Sequence, residues 1–351
     1  MLGAALRSRD NSLNAVRLAL ATAVIAGHAW ILGGFGASRI EGLTGMAVNG
    51  FFALSGFLIA GSRWRSSMRD FLIRRVARIF PGFLVCLVVV AAALAPLSAM
   101  LGPGQLQPGS AAAYVARNLG LVVTQHGIAD TLASVPYPRV WNGSLWTLSY
   151  EFAAYIVCGL ALGLALVRRH AALVCSAAVA VCLLGVLVVT GPLQVYNVFR
   201  LGACFATGMA LFVARDRVPL TVPLAAASAL VTTVAFLTLE EPWLYAVTTV
   251  PFAYALLWLG ARVPIRLGQV NDISYGIYIY AFPVQQLLAV AGVQRAGVLV
   301  FTMASIAATI PAALASWHFV ERPALRWARR LTRRAEPVGT AATSPTTSPA
   351  G

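Results

Sequence analysis

The stretch LNAVRLALATAVIAGHAW, residues 13–30, decides the fold. Apart from Asn14, Arg17, Thr22 and His28 it is built of apolar residues and glycine, and it runs on without a proline or a turn signal into Ile31 and Leu32. A helix of about 20 such residues crosses a hydrocarbon core of about 30 Å. Working outward, comparable runs recur at 43–62, 79–99, 144–167, 170–190, 195–214, 219–239, 243–261, 272–292 and 297–317. The pattern predicts an all-α polytopic membrane protein of about ten transmembrane helices. A cleaved leader is the alternative reading of residues 1–32, but the run carries Arg17 and His28 and extends past the length of a leader's apolar region, so a permanent first helix is expected.

Composition agrees. The 351-residue chain is 59% hydrophobic and 11% charged, with mean hydropathy +0.79. Its net charge of +15 raises the question of nucleic acid. All 26 basic residues, however, are arginines, and they gather between apolar runs rather than on a dispersed basic face, so nucleic-acid binding is not expected. Their placement sets an orientation, since short cytoplasmic loops retain positive charge. With the N-terminus inside, Arg7 and Arg9, the run 63–78, Arg168 and Arg169, Arg215 and Arg217, Arg262 and Arg266, and the group 322–334 are cytoplasmic. Only Arg39, Arg117, Arg139 and Arg295 fall outside, while Arg17 and Arg200 lie within or at the edge of spans. Both termini are therefore expected in the cytoplasm.

One membrane domain, 1–334, is expected, followed by a low-complexity, disordered tail at 335–351. The longest outer segment, 100–143, is rich in Gly, Pro and polar residues. Its apolar stretch Tyr114 to Thr124 suits the membrane interface, and the segment suits an acceptor-facing lid. The five cysteines all fall in apolar runs and read as packing residues without a disulfide framework. No metal site and no permanently bound cofactor are expected.

An ionisable group inside a span costs about 2.5–3.5 kcal/mol and so calls for a reason. Arg17, His28, Glu151, Arg200 and, at a span edge, Asp272 are such groups. Eleven residues separate Arg17 from His28, about three turns and roughly 16 Å of helix, so the two share one face. That spacing suits a ligand with an anionic head and a long thin arm. An arginine can hold phosphates, and a histidine titrating near neutrality can take the proton of an attacking hydroxyl. A snorkelling arginine and a histidine bonded to a neighbouring helix would give the same pattern. Arg74, Arg75 and Arg78 form RRxxR where the inner loop enters the third run. They could clamp phosphates, and the positive-inside rule explains them equally well. Glu151, behind WNGSLWTLSYE, needs a partner such as Arg or His, in a catalytic or a purely structural pairing. The small residues of GFFALSGFLI, 50–59, allow close approach of a helix or a ligand.

Six segments in fixed order resemble the acyltransferase 3 family of bacterial membrane O-acyltransferases. They are LNAVRLALATAVIAGHAW, NGFFALSGFLI, RRVARIFP, SLWTLSYEF, ISYGIYIYAFPV and HFVERPALRW, and they span nearly the whole chain from Asn14 to Pro323. The resemblance implies an inner-membrane enzyme that moves an acyl group, most often acetyl, from cytoplasmic acyl-CoA to a hydroxyl of a polysaccharide, glycolipid or glycosylated metabolite. It makes His28 the essential catalytic residue and ties Arg17, Arg74, Arg75 and Arg78 to the donor, with Glu151 and Glu321 as weaker candidates. Ala281 departs from the pattern, standing where the family usually has a histidine. Many relatives append a periplasmic domain that is missing here, which leaves room for a separate transfer partner. The rival expectation is a transporter that moves a sugar-lipid or solute unmodified. Transporters commonly show repeated halves, and no convincing repeat links residues 1–165 with 170–334.

Overall fold

The computed structural model describes residues 1–6, 11–265, 267–268 and 271–332. Arg7, Arg9, Arg266, Arg333, Arg334 and the tail 335–351 lie outside the described residues. Among the described residues the chain is helical and contains no strand. The principal helices are α1 (Leu13–Gly33), α2 (Gly42–Trp64), α3 (Met68–Val89), α4 (Trp146–Ala161), α5 (Ala171–Val188), α6 (Leu193–Val213), α7 (Val222–Thr238), α8 (Trp243–Arg262), α9 (Ser274–Val290), α10 (Val298–Ser316) and α11 (Arg322–Leu331). Among the described residues, seven continuous helical stretches are long and apolar enough to cross a membrane, Met68–Leu101 and Val298–Leu331 among them. This is a multi-pass membrane protein. The shorter α4, α7 and α9, with 16, 17 and 17 residues, occupy three of the expected apolar runs.

Local chemistry sets the boundaries. Gly34, at φ +70°, stops α1 in a left-handed cap and returns its N–H to Ile31 at 3.3 Å, while Phe35 N–H reaches the Trp30 carbonyl at 3.1 Å. Helix α3 begins at Met68, eleven residues before the apolar run, because Ser67 caps it by accepting the Asp70 N–H at 3.2 Å. Its polar first turns still bury Phe71 and Ala77. Arg74, Arg75 and Arg78 therefore sit on a helix with fixed directions rather than on a loop. The run at 144–167 is broken after Ala161 by a turn through Leu162 and Gly163, and a separate short helix, Ala165–Arg169, follows.

Two features tie the bundle together. Helices α2 and α6 cross so closely that a Cβ on Gly56 would lie 2.0 Å from the Phe205 carbonyl oxygen, and one on Gly208 2.0 Å from that of Ala53. Only glycine allows backbones that near. Arg200 on α6, the intramembrane charge without an expected task, is a buried staple. It donates to Asn49 Oδ1 at 3.0 Å and to the Gly45 carbonyl at 2.9 Å, and its guanidinium lies 3.9 Å from the centroid of the Tyr245 ring.

The segment 100–143 packs partly on the bundle, and within its stretch Tyr114 to Thr124 the side chains of Leu119 and Val122 stay exposed. Its helix Pro108–Asn118 buries Tyr114, and Leu121 is buried in the same core. Apolar side chains find more contacts against the bundle than at a headgroup surface. The end of the segment dips into the bundle. Trp141, Asn142, Ser144 and Leu145 are all buried, Trp141 Nε1 donates to Thr131 Oγ1 at 2.8 Å, and Asn142 Nδ2 donates to the Ile279 carbonyl, midway along α9, at 2.8 Å. Irregular backbone is tolerated at such depth only when protein surrounds it.

Candidate active site

Helices α1, α2, α3, α4 and α9 line a cavity of about 90 Å³ that opens to solvent. Arg17, Arg75, Arg78 and Ser274 line one end, Ser55, Glu151, Tyr155 and Tyr275 its flanks, and Val48, Phe51, Thr147 and Tyr278 the other end. Four of the residues singled out in the sequence thus converge from three helices. Arg74 does not join them. It faces the end of α11, where its Nε donates to Thr332 Oγ1 at 3.1 Å.

Asp272 organises the arginines. Its Oδ2 accepts from Arg17 Nη1 at 2.9 Å and from Arg78 Nη2 at 2.8 Å, and its Oδ1 accepts from Ser274 Oγ at 2.6 Å. Arg78 also faces buried Glu321 across a long ion pair of 3.6 Å, and Glu321 is held by Ser316 Oγ at 2.9 Å. Two guanidiniums sharing one carboxylate oxygen are aimed at a single point, the arrangement that an oxyanion of a phosphate could also satisfy. Arg75 is different in kind. Its guanidinium stands 5.8 Å and 6.0 Å from the ring centroids of Tyr155 and Phe71, and its buried Nε has no hydrogen-bond partner among the described residues. Among the described residues Glu151 pairs with no Arg or His. Its Oε1 accepts from Ser55 Oγ at 3.1 Å and from Tyr155 Oη, one helical turn on. Hydroxyl donors suffice for it because the carboxylate opens on a cavity that Arg17, Arg75 and Arg78 also line, rather than on lipid.

His28 is not in the cavity wall. It is buried on α1, its Nδ1 has no hydrogen-bond partner among the described residues, and its ring meets Phe282 edge-on at 5.1 Å. The gap can be measured along the helices. Gly27 faces Thr44 and Gly50 faces Leu20, so residues of α1 and α2 at equal height have numbers adding to about 70. Val48, at the far end of the cavity, is then level with residue 22 or 23, about 8 Å of helix rise short of His28. Phe282 follows Tyr278 by one turn of α9. The Phe51 and Tyr278 rings, 5.7 Å apart, lie below it at the end of the cavity. Tyr278 Oη is held by Thr147 Oγ1 at 2.5 Å and donates to the Ser144 carbonyl at 3.0 Å.

The buried end of the outer segment reaches the same place from the opposite direction. Gly143 packs so closely on the Phe282 ring that a Cβ there would lie 2.5 Å from it. Tyr137 meets the same ring at 6.2 Å. Several buried polar atoms in this region, Ser144 Oγ, Gln285 Oε1 and Gln286 Oε1, have no hydrogen-bond partner among the described residues, although Gln285 Nε2 donates to the Ile25 carbonyl at 3.0 Å. Buried polar atoms left open in this way are available to the hydroxyls of a ligand or to water. Ala281, where the family usually has a histidine, packs against Ala21, Ile25 and Ala313, an apolar contact between α1, α9 and α10 with no polar task.

A family profile described as an acyltransferase domain matches residues 10–318. The chain belongs to this acyltransferase family. The protein is thus an enzyme of acyl transfer, and the transporter expectation is set aside. It is also 27% identical over 339 residues to the "O-acetyl transferase" of Shigella phage Sf6, an alignment that covers 90% of this chain and 96% of the phage protein. No solved structure matches.

Sequence reasoning reached Arg17 and Glu151 through the cost of charge in the membrane, and Arg75 and Arg78 through the RRxxR pattern where the inner loop enters the third run. It named Asp272 and Glu321 without assigning them partners. It missed Ser55, Tyr155, Tyr275 and Tyr278, hydroxyl residues that cost little in a membrane and so raise no signal. The i, i+4 spacing of Glu151 and Tyr155 is the one hint the text contains.

Proposed function

We propose that the protein is an O-acetyltransferase of the cell's inner membrane that draws on cytoplasmic acyl-CoA and acylates a hydroxyl of a carbohydrate-type acceptor. Exported polysaccharides, glycolipids and glycosylated metabolites are acceptors of this class. The observation that carries the reading is the cavity with Arg17, Arg75 and Arg78 at one end and its other end directed toward His28. The name of the phage relative supports acetyl as the acyl group and oxygen as the acceptor atom.

In this reading the arginines hold phosphate oxygens and the thioester arm runs up the cavity past Ser55 and Glu151. The acceptor enters beside the buried end of the outer segment. Its hydroxyl oxygen attacks the thioester carbonyl carbon as an imidazole nitrogen of His28 takes the hydroxyl proton. The new C–O bond forms, the C–S bond breaks, and the proton returns to the departing thiolate to leave free CoA. His28 Nδ1, unengaged and buried, suits a general base. The 8 Å between cavity and His28 requires the Phe51 and Tyr278 rings to part when the donor is bound.

The test is the purified protein in lipid nanodiscs with radiolabelled acetyl-CoA and a panel of polysaccharide and glycolipid acceptors. Label should move to an alkali-labile ester on the carbohydrate. Wild-type protein that neither binds acetyl-CoA nor transfers label to any acceptor would overturn the proposal.

A further inference from the structure

A second cavity, of about 430 Å³, opens beside the first and shares Arg78 with it. Its wall is Asn14, Arg78, Asp272, Trp317, Leu325 and the arginines Arg322, Arg326 and Arg329 of α11. Positions 322, 326 and 329 follow the i, i+4, i+7 repeat that puts residues on one helix face. Four guanidiniums therefore face one carboxylate, and that carboxylate is already claimed by Arg17 and Arg78. Arg322, Arg326 and Arg329 have no ion pair or hydrogen bond among the described residues.

Charge at the cytoplasmic end of a membrane helix is ordinary, but its concentration in a concave space is not required by topology. Arg330, exposed on the same helix, is not in the wall and serves orientation equally well. Like charges gathered around one space repel unless an anion neutralises them, and guanidiniums select phosphate oxygens by their forked donors. The two cavities differ in a way that matches a single ligand. The wall of the first is mostly apolar and aromatic and leads toward His28, whereas the second is wide, basic and bordered by an indole. Arg78 stands between them, with Arg17 bound to the same Asp272 oxygen.

We propose that the cavity between α11 and Arg78 is a binding site for phosphate groups, occupied by the phosphorylated nucleotide end of the acyl donor. This rests on the acyl-CoA reading above and extends it to residues beyond 318, where the match to the family profile stops. Arg326 and Arg329 supply the principal contacts. Arg78 then marks the point where the nucleotide ends and the pantetheine arm begins.

The experiment titrates CoA and dephospho-CoA, which lacks the 3′-phosphate, into the full-length protein held in phosphatidylcholine nanodiscs. Wild type, Arg326→Gln, Arg329→Gln and the control Arg330→Gln are compared. Arg326 and Arg329 are exposed, so the variants keep the fold. Losing one charge-assisted contact should weaken CoA binding roughly ten- to hundredfold, shrink the preference for CoA over dephospho-CoA, and leave Arg330→Gln at the wild-type value. A parallel arm measures phosphatidylglycerol retained by each variant in native mass spectrometry. Unchanged CoA affinity with lost phosphatidylglycerol would assign the cavity to a lipid headgroup and overturn the nucleotide proposal. Unchanged binding of both would overturn the phosphate site altogether. Either result, with wild type still binding CoA and transferring acetyl, leaves the functional reading standing. A wild type that binds no CoA sinks that reading and the inference with it.

Discussion

Replacing Arg75 by Ala separates donor binding from stability, and the structure shows why Arg75 rather than Arg78 is the residue to change. Arg78 holds Asp272 at 2.8 Å and faces buried Glu321 at 3.6 Å. Removing it strands a buried carboxylate, a loss of about 3–5 kcal/mol of folding free energy, so weaker donor binding by that variant would be ambiguous. Arg75 makes no ion pair among the described residues, and its contacts with the rings of Phe71 and Tyr155, at the 6 Å limit of such interactions, are worth about 0.5–2 kcal/mol. Arg75→Ala should therefore unfold within a few degrees of wild type. If its guanidinium meets a donor phosphate, the lost charge-assisted bond is about 1.5–3 kcal/mol, or roughly a ten- to hundredfold rise in Kd. Thermal unfolding and titration with a non-hydrolysable acetyl-CoA analogue on the same preparation give both numbers. An Arg75→Ala protein of normal stability and unaltered affinity would remove Arg75 from the donor site and refute the phosphate reading of that end of the cavity.

The remaining expectations are more direct. His28→Ala should abolish transfer while acyl-CoA still binds with near-normal affinity; substantial residual transfer would disprove the general-base assignment. Gly208→Leu should destabilise by at least the ~1–3 kcal/mol typical of overpacking, seen as loss of folded protein in detergent, because its Cβ would meet the Ala53 carbonyl oxygen at 2.0 Å; a well-folded variant would show that α2 and α6 can separate. Reporter fusions after Ser66 and at the C-terminus should report cytoplasm and one within 100–143 the outside, and reversed signals would overturn the orientation drawn from the arginines.

The helices were legible because the bilayer demands long apolar runs, Arg17 and Glu151 because charge inside such runs is costly, and Arg75 and Arg78 because they repeat as RRxxR at the edge of one. What stayed hidden has physical causes too. Met68 as the start of α3 depends on a serine cap and an amphipathic first turn, neither of which a hydropathy window detects. The burial of Tyr114 and Leu121 and the descent of Trp141–Leu145 into the bundle depend on surfaces contributed by α3 and α9, remote in sequence. Arg200 and Arg17 look alike in the text, yet one is bound to Asn49 and a backbone carbonyl and the other to Asp272 beside a cavity. Cost identifies a charged residue as needing a partner; only tertiary structure says which partner it has. The distance between His28 and the cavity was likewise invisible, since two residues on one helix face do not imply one continuous space.

The buried descent of Trp141–Leu145 has an electrical consequence. Lipid drops the membrane voltage over about 30 Å of insulator. In the proposed orientation, were solvent to follow the cavity from the cytoplasm and the acceptor's path beside the outer segment during transfer, the insulator around His28 would narrow to the roughly 8 Å occupied by Phe51, Tyr278 and Phe282. The same voltage over that shorter path gives a local field on the order of fourfold stronger. A proton taken up by His28 during transfer would move within that field, and a full crossing is worth about 2.3 kcal/mol per 100 mV. With His28 as the base, the energised state of the membrane would become a variable of the reaction rate, and the aromatic rings would act as its dielectric.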